Sequence, residues 1–198
     1  MELATSRRSP AGRRRVTAGA GMLPAVLSSI GSLYRLVDLI PPPDSPLGAD
    51  GDWKRFVSSN GFWPPEDYRM MIREYGAGTF AGWLTLIEPF SHSKTFTELV
   101  ETELRALRGR GQGWPTWPSP GGFLPWAKTT GGDHVGWRTE GRPEAWTVVY
   151  WGASIATELQ VGTVGFLIGL AERSLGDPTF DQGNPFSAPN GMRFESLR

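Results

Sequence analysis

Residues 62–90, FWPPEDYRMMIREYGAGTFAGWLTLIEPF, decide the fold class, because the hydrophobic period changes inside them. Pro64 and Pro65 suit a first helical turn, where φ is already set and a missing N–H costs nothing. Glu66 and Asp67 then face the positive end of that helix's dipole. Tyr68, Met71, Ile72 and Tyr75 recur at i, i+3, i+4 and i+7 and make one apolar stripe, with Arg69, Arg73 and Glu74 on the wet side. Gly76 stops the helix, since the residue after a helix often needs positive φ and glycine takes it without strain. After Gly78 the period falls to two. Gly82, Leu84 and Leu86 lie on one face of a strand and Trp83, Thr85 and Ile87 on the other. Both faces are mostly apolar, so this strand is expected inside a sheet.

Upstream, Leu33, Leu36, Val37 and Ile40 keep helical spacing within Leu27–Ile40 until Pro41, Pro42 and Pro43 end it. A turn-rich connector, PPPDSPLGADGD, follows, and Trp53, Phe56 and Val57 mark one side of a short helix before Asn60-Gly61 turns the chain. Downstream, Thr95 and Glu98 have capping-box spacing at the head of a helix whose buried stripe is Phe96, Leu99, Val100, Leu104 and Leu107. Glu101 and Arg105 form an i, i+4 pair on its wet face. Gly, Pro and Trp from Gly109 to Gly122 place Trp114 and Trp117 on a loop, either tucked against the core or available to a partner. Three short apolar runs, Phe123–Lys128, His134–Arg138 and Trp146–Trp151, are divided by turn-formers and predict an antiparallel meander. Residues 152–161 leave room for one more strand. Thr163 then caps a last helix carrying Val164, Leu167, Ile168 and Ala171, ended by Gly176 and Pro178. Gly165 and Gly169 inside it imply close packing. The tail from Asp181 is polar, with Phe186 and Phe194 as docking points.

The chain has 198 residues, no cysteine and zero formal net charge. Disulfides, thiolate zinc sites and cysteine nucleophiles are therefore excluded. His92 and His134 are far apart, and no metal or other cofactor is expected from them. Five arginines against Glu2 give residues 1–21 a charge of +4, which leaves −4 on the remainder. That balance argues against nucleic acid as the ligand. No apolar run of about eighteen residues is present, so no membrane span is expected. Residues 1–21 lack apolar periodicity and read as a disordered basic extension, with Met22 as an alternative start.

No catalytic constellation stands out. Asp133 and His134 are adjacent, and neighbours on a strand point to opposite faces. GAG and GG lack the sequel of a phosphate loop. An enzyme would need Asp133, His134 or Glu140 to converge in a pocket. Nine tryptophans raise the possibility of a sugar-stacking platform, against which Trp83, Trp126, Trp137 and Trp151 read equally well as core.

The order helix, Tyr75-Gly76-Ala77-Gly78, strand, helix, then the block Gly122 to Trp137 and a strand ending at Trp151, resembles the SUKH superfamily. Pro64-Pro65-Glu66-Asp67-Tyr68 and Thr163 to Leu170 fit the same pattern, which spans roughly Leu33 to Leu175. Trp63-Pro64 stands where the family usually has Leu-Pro, and residues 152–161 lack its common acidic-aromatic pattern. The resemblance implies an α+β fold, a twisted and mostly antiparallel sheet with helices packed on it, in a single domain over residues 22–180 with a polar tail over 181–198. It carries over no catalytic residue. Bacterial members are similar to the yeast cell-wall assembly regulator and mostly look like immunity proteins of polymorphic toxin systems. The expected function is accordingly a non-catalytic, cytoplasmic protein that binds a cognate toxin domain, of nuclease type on charge grounds, with a regulatory scaffold or a carbohydrate-binding module as alternatives. Asp133, Glu140 and Glu144 on turns, with Trp114 and Trp117 as aromatic anchors, are the candidate contacts. The particular toxin and the oligomeric state are not written in these residues.

Overall fold

The computed structural model describes residues 25–108, 114–153, 155–177, 180, 186 and 193–197; the basic extension 1–21 lies outside them. Among the described residues five helices and seven strands form one α+β unit. They are α1 Ala25–Leu39, α2 Trp53–Asn60, α3 Glu66–Tyr75, β1 Gly78–Phe80, β2 Leu84–Leu86, α4 Phe96–Arg108, β3 Phe123–Thr129, β4 His134–Arg138, β5 Thr147–Trp151, β6 Ala156–Leu159, α5 Thr163–Glu172 and β7 Phe194–Ser196. The sheet runs β6-β5-β4-β3-β2-β1-β7 and every named pairing is antiparallel. The meander β3-β4-β5 is as the turn signals predict, and β6 fills the stretch the sequence left open.

The single strand expected after Gly78 is instead a hairpin. Ala81 and Gly82 take φ of 54° and 61°, and Trp83 N–H bonds back to Phe80 C=O at 2.9 Å. Positive φ at successive residues gives the turn that matches strand twist, and alanine so seldom adopts it that Ala81-Gly82 carries little turn signal. Leu84 and Leu86 still face the core and Thr85 the other side, as alternation requires. Pro125 is tolerated in the middle of the sheet because the β3–β4 register shifts between it and Ala127.

Two layers of helix enclose the sheet. On one face α3 and α5 cover Trp126 and Trp137, both fully buried, with Tyr68 edge-on to Trp137 at 4.9 Å and Phe166 edge-on to Trp126 at 6.3 Å. Helix α1 packs on α3 and α5, and Tyr75 Oη closes that corner by donating to Ile40 C=O at 2.6 Å. On the opposite face α4 lies against β3. Its capping box is present: Thr95 N–H donates to Glu98 at 2.7 Å and Glu98 N–H to Thr95 Oγ1 at 3.3 Å. The pairing expected of Glu101 with Arg105 is replaced, because Arg108 reaches the Glu101 carboxylate at 3.1 Å while Arg105 Nε bonds the Glu101 carbonyl.

The start of α5 also departs from expectation. Thr163 is its first helical residue, not its cap, and the capping oxygen comes from Asp67 on α3, whose Oδ2 accepts from Val164 N–H at 3.0 Å. Thr163 bonds the same carboxylate and its Oγ1 accepts from Trp137 Nε1–H at 3.0 Å. Burial raises the Asp67 pKa above the ordinary value, although its bonds to Val164, Tyr68 and Thr163 work against that rise. Gly162 makes room for the carboxylate, since a Cβ there would lie 2.6 Å from Asp67 Oδ2. Gly169 is packed as closely, with Leu175 Cδ2 2.4 Å from where a Cβ would stand. The helix ends at Arg173 in the left-handed region rather than at Gly176.

Candidate functional site

Four of the five candidate contact residues gather at one end of the molecule, beyond the C-terminal end of β4. Arg138 is the hub. Its Nη1 donates to Glu158 Oε2 on β6 at 2.8 Å, its Nη2 pairs with Glu140 at 2.6 Å, and its guanidinium lies 6.0 Å from the Trp114 ring centre. Thr147 Oγ1 completes the network by donating to Glu158 Oε1 at 2.8 Å. Burial alone would raise the Glu158 pKa, but the bonds from Thr147 and Arg138 outweigh it and hold the carboxyl below its ordinary range. Glu140 projects from this network and Glu144 stands exposed on the 3-10 turn Pro143–Ala145.

The aromatic part of this end is layered. Trp117 is half-buried, anchored by its N–H to Phe123 C=O at 3.0 Å and by its ring 5.1 Å from Phe62. Phe62 in turn lies 6.1 Å from Trp146. The next residue, Trp63, faces outward at 41% exposure, with the Arg69 guanidinium stacked 5.0 Å from its ring centre. Arg69 is fixed by its Nε donating to Pro64 C=O at 3.2 Å. Sequence reasoning treated Trp63 only as a departure from Leu-Pro; the signal of an exposed anchor was a large apolar residue just outside a helix start, with an arginine six residues on. A tryptophan stacked by an arginine is a typical binding anchor, since both groups bury much area for little lost freedom.

Asp133 is not part of this surface. It sits at the opposite end of β4, in the β3–β4 turn, and accepts a hydrogen bond from Tyr150 Oη at 2.5 Å. Its neighbour His134 points to the other face, fully buried, with Nε2 2.7 Å from Glu103 Oε2 on α4. Lys128 Nζ reaches the same oxygen at 3.0 Å. Burial would raise the Glu103 pKa, and these two partners more than reverse it. Asp133, His134 and Glu140 therefore do not converge. Among the described residues no group of three His, Cys, Asp or Glu is placed to hold a metal.

A groove of about 450 Å³ opens between α4 and the β2–β3 strands, lined by Ile87, Glu88, Lys94, Leu99, Glu103 and Lys128 among others. Its charged lining residues are two of each sign, Glu88 and Glu103 with Lys94 and Lys128, and the Lys128 amine is paired with Glu103. Of the nine tryptophans, Trp126, Trp137, Trp146 and Trp151 are buried and only Trp63 is largely exposed. A flat platform of bare rings, which a sugar-binding module would need, is not formed, because the Trp63 ring is already stacked with Arg69.

Residues 65–161, from the head of α3 to just past β6, match the family SUKH_6, described as SMI1-KNR4 cell-wall. No curated protein and no solved structure was found to match the chain. Among the described residues no helix is long and apolar enough to cross a membrane. The matched segment contains the helix-to-hairpin turn, α4 and the whole meander, and this match over residues 65–161 supports membership of the SUKH superfamily, a family of protein-interaction domains.

Proposed function

We propose that this protein is a cytoplasmic immunity protein that binds a cognate toxin domain stoichiometrically and holds it inactive, without chemistry of its own. The observation that carries the reading is the pair of surface tryptophan–arginine contacts, Trp63–Arg69 and Trp114–Arg138, on a chain whose residues 65–161 match a family of protein-interaction domains. Glu140, Glu144 and Trp117 complete the proposed contact surface. A net charge of −4 outside residues 1–21 favours a basic partner such as a nuclease, whose cleft must attract phosphate, and opposite charge speeds encounter. Asp133, tied to Tyr150, contributes at most from outside this surface.

Co-expression with a toxin gene from the same neighbourhood tests the reading. Rescue of growth, a one-to-one complex on co-purification and weaker association at high salt are the expected results. Trp63→Ala and Trp114→Ala should each lower affinity while leaving the circular dichroism spectrum unchanged. Rescue by catalytic amounts of the protein, or the lack of any neighbouring toxin, overturns it. Recovery of several host proteins in place of one toxin would favour the regulatory scaffold, the reading to which the family's cell-wall description points. Residues 1–21 are proposed to be dispensable: a chain beginning at Met22 is expected to keep both its melting temperature and its partner, and loss of either refutes this.

A further inference from the structure

β7 lies outside the matched family segment, yet it is seated in a slot shaped for it. The slot is the edge of β1 away from β2, which β7 covers. Phe194 packs edge-on against Phe80 at 4.7 Å and Tyr75 at 5.2 Å, and the strand pairs Phe80 with Phe194, Thr79 with Glu195 and Gly78 with Ser196. The flanking bonds are Ala81 N–H to Arg193 C=O at 2.8 Å and Leu197 N–H to Ala77 C=O at 3.0 Å. Gly78 explains why the ring fits. Its φ is not in the positive range that favours glycine, so the backbone does not demand one. A Cβ, however, would stand 2.2 Å from Phe194 Cζ and 2.4 Å from Glu195 C=O. The missing side chain is therefore a notch for an aromatic ring carried by a strand lying along β1.

The present occupant fills this slot thinly. Only Phe194 is buried; Glu195 is exposed, and the Ser196 hydroxyl is shut from water without a hydrogen-bond partner. An unpaired buried hydroxyl weakens the seat. Main-chain pairing with one side-chain pocket is the pattern by which sheet edges recognise extended peptides.

We propose that the β1 edge with its Tyr75–Gly78–Phe80 notch is a peptide-recognition site, occupied in cis by the chain's own Phe194–Ser196 strand, and that its external ligand is an extended protein segment with a phenylalanine opposite Phe80. The site is on the sheet edge formed by β1, not among the Trp63 and Arg138 residues, and it does not depend on the proposed immunity role. The cis strand sets a threshold, because a ligand gains the edge only for the fraction of time that β7 is off it.

The probe is a fluorescent peptide of residues 190–198, NGMRFESLR, tested against the full chain and its Phe194→Ala variant. The variant should bind the peptide saturably, the wild-type chain at least about tenfold more weakly because β7 competes, and a peptide with alanine for phenylalanine not at all. Equal binding by the two proteins, or no binding by a variant whose circular dichroism is native, overturns the proposal. If Phe194→Ala does not fold, hydrogen exchange on the wild-type chain decides. The Leu197 amide, bonded to Ala77 C=O at the head of β1, should exchange by local opening, at least about a hundredfold faster than the β4 amides. Exchange of both only through global unfolding makes β7 a fixed part of the core and refutes exchangeable occupancy.

Discussion

Two aspartates do the same work in this molecule under different conditions. Asp52 caps α2 from the adjoining position, its Oδ1 accepting from Lys54 N–H at 2.9 Å and Arg55 N–H at 3.2 Å, in the open. Asp67 caps α5 from 97 residues away, in a part-buried site over the buried Thr163 and Trp137. A local cap needs only its neighbours and offers the helix a bond that water would nearly replace. A distant cap exists only once α3 and α5 have docked, and losing it strands amides where water cannot reach them. The same residue type is thus a helix signal in one place and a tertiary clasp in the other.

The difference can be broken by substitution. Asp67→Ala should cost about 2 kcal/mol in urea unfolding, since it leaves the Val164 N–H and the Thr163 hydroxyl without their shared acceptor. Gly162→Ala should cost about 1.5 kcal/mol, by pressing a methyl onto the Asp67 carboxylate rather than by straining a backbone whose φ is −80°. Asp52→Ala should cost less, about 0.5–1 kcal/mol, as exposed caps do. If Asp52→Ala proves the costlier of the two aspartate variants, burial is not what separates them.

The smallest effect sharpens the comparison through pH. Asp67 has a folded pKa above its unfolded value, so the native state binds that proton more tightly. Its contribution to stability is complete below the ordinary value of 3.8 and is lost as pH rises through the folded pKa. Glu103 and Glu158 act in the opposite sense: their folded values are lowered, so their contribution is present above the ordinary carboxylate range and fades as pH falls. Asp67→Asn keeps an acceptor for Val164 and removes the ionisation. The melting temperature of wild type relative to this variant should therefore rise as pH is lowered from about 7 to about 4. A constant difference across that range would mean that Asp67 keeps an ordinary pKa in the fold.

The proposed contact surface was only partly legible. Trp114, Trp117, Glu140 and Glu144 were readable as loop residues, because a Gly/Pro-rich stretch and a turn must lie at the surface. Nothing local announced Arg138 as their hub, since its partners Glu158 and Trp114 lie 20 and 24 positions away and meet it only through strand pairing. Asp133 was readable as a turn residue, and its bond to Tyr150 depends on the β4–β5 register.

Periodicity, proline and glycine in the sequence alone determined α3, α4 and the three-stranded meander, because helical stripes, strand alternation and turn-formers act within a few residues. The Asp52 cap went unread inside the turn-rich connector, although an aspartate just before the first apolar residue of a helix is a local signal. The tertiary structure alone decided the Ala81-Gly82 hairpin, the Asp67 clasp on α5 and the seating of Phe194 against Gly78. Each of these rests on a conformation or a contact that is unfavourable or unavailable in a short segment, and it persists because distant elements, once packed, supply the partner and remove the water.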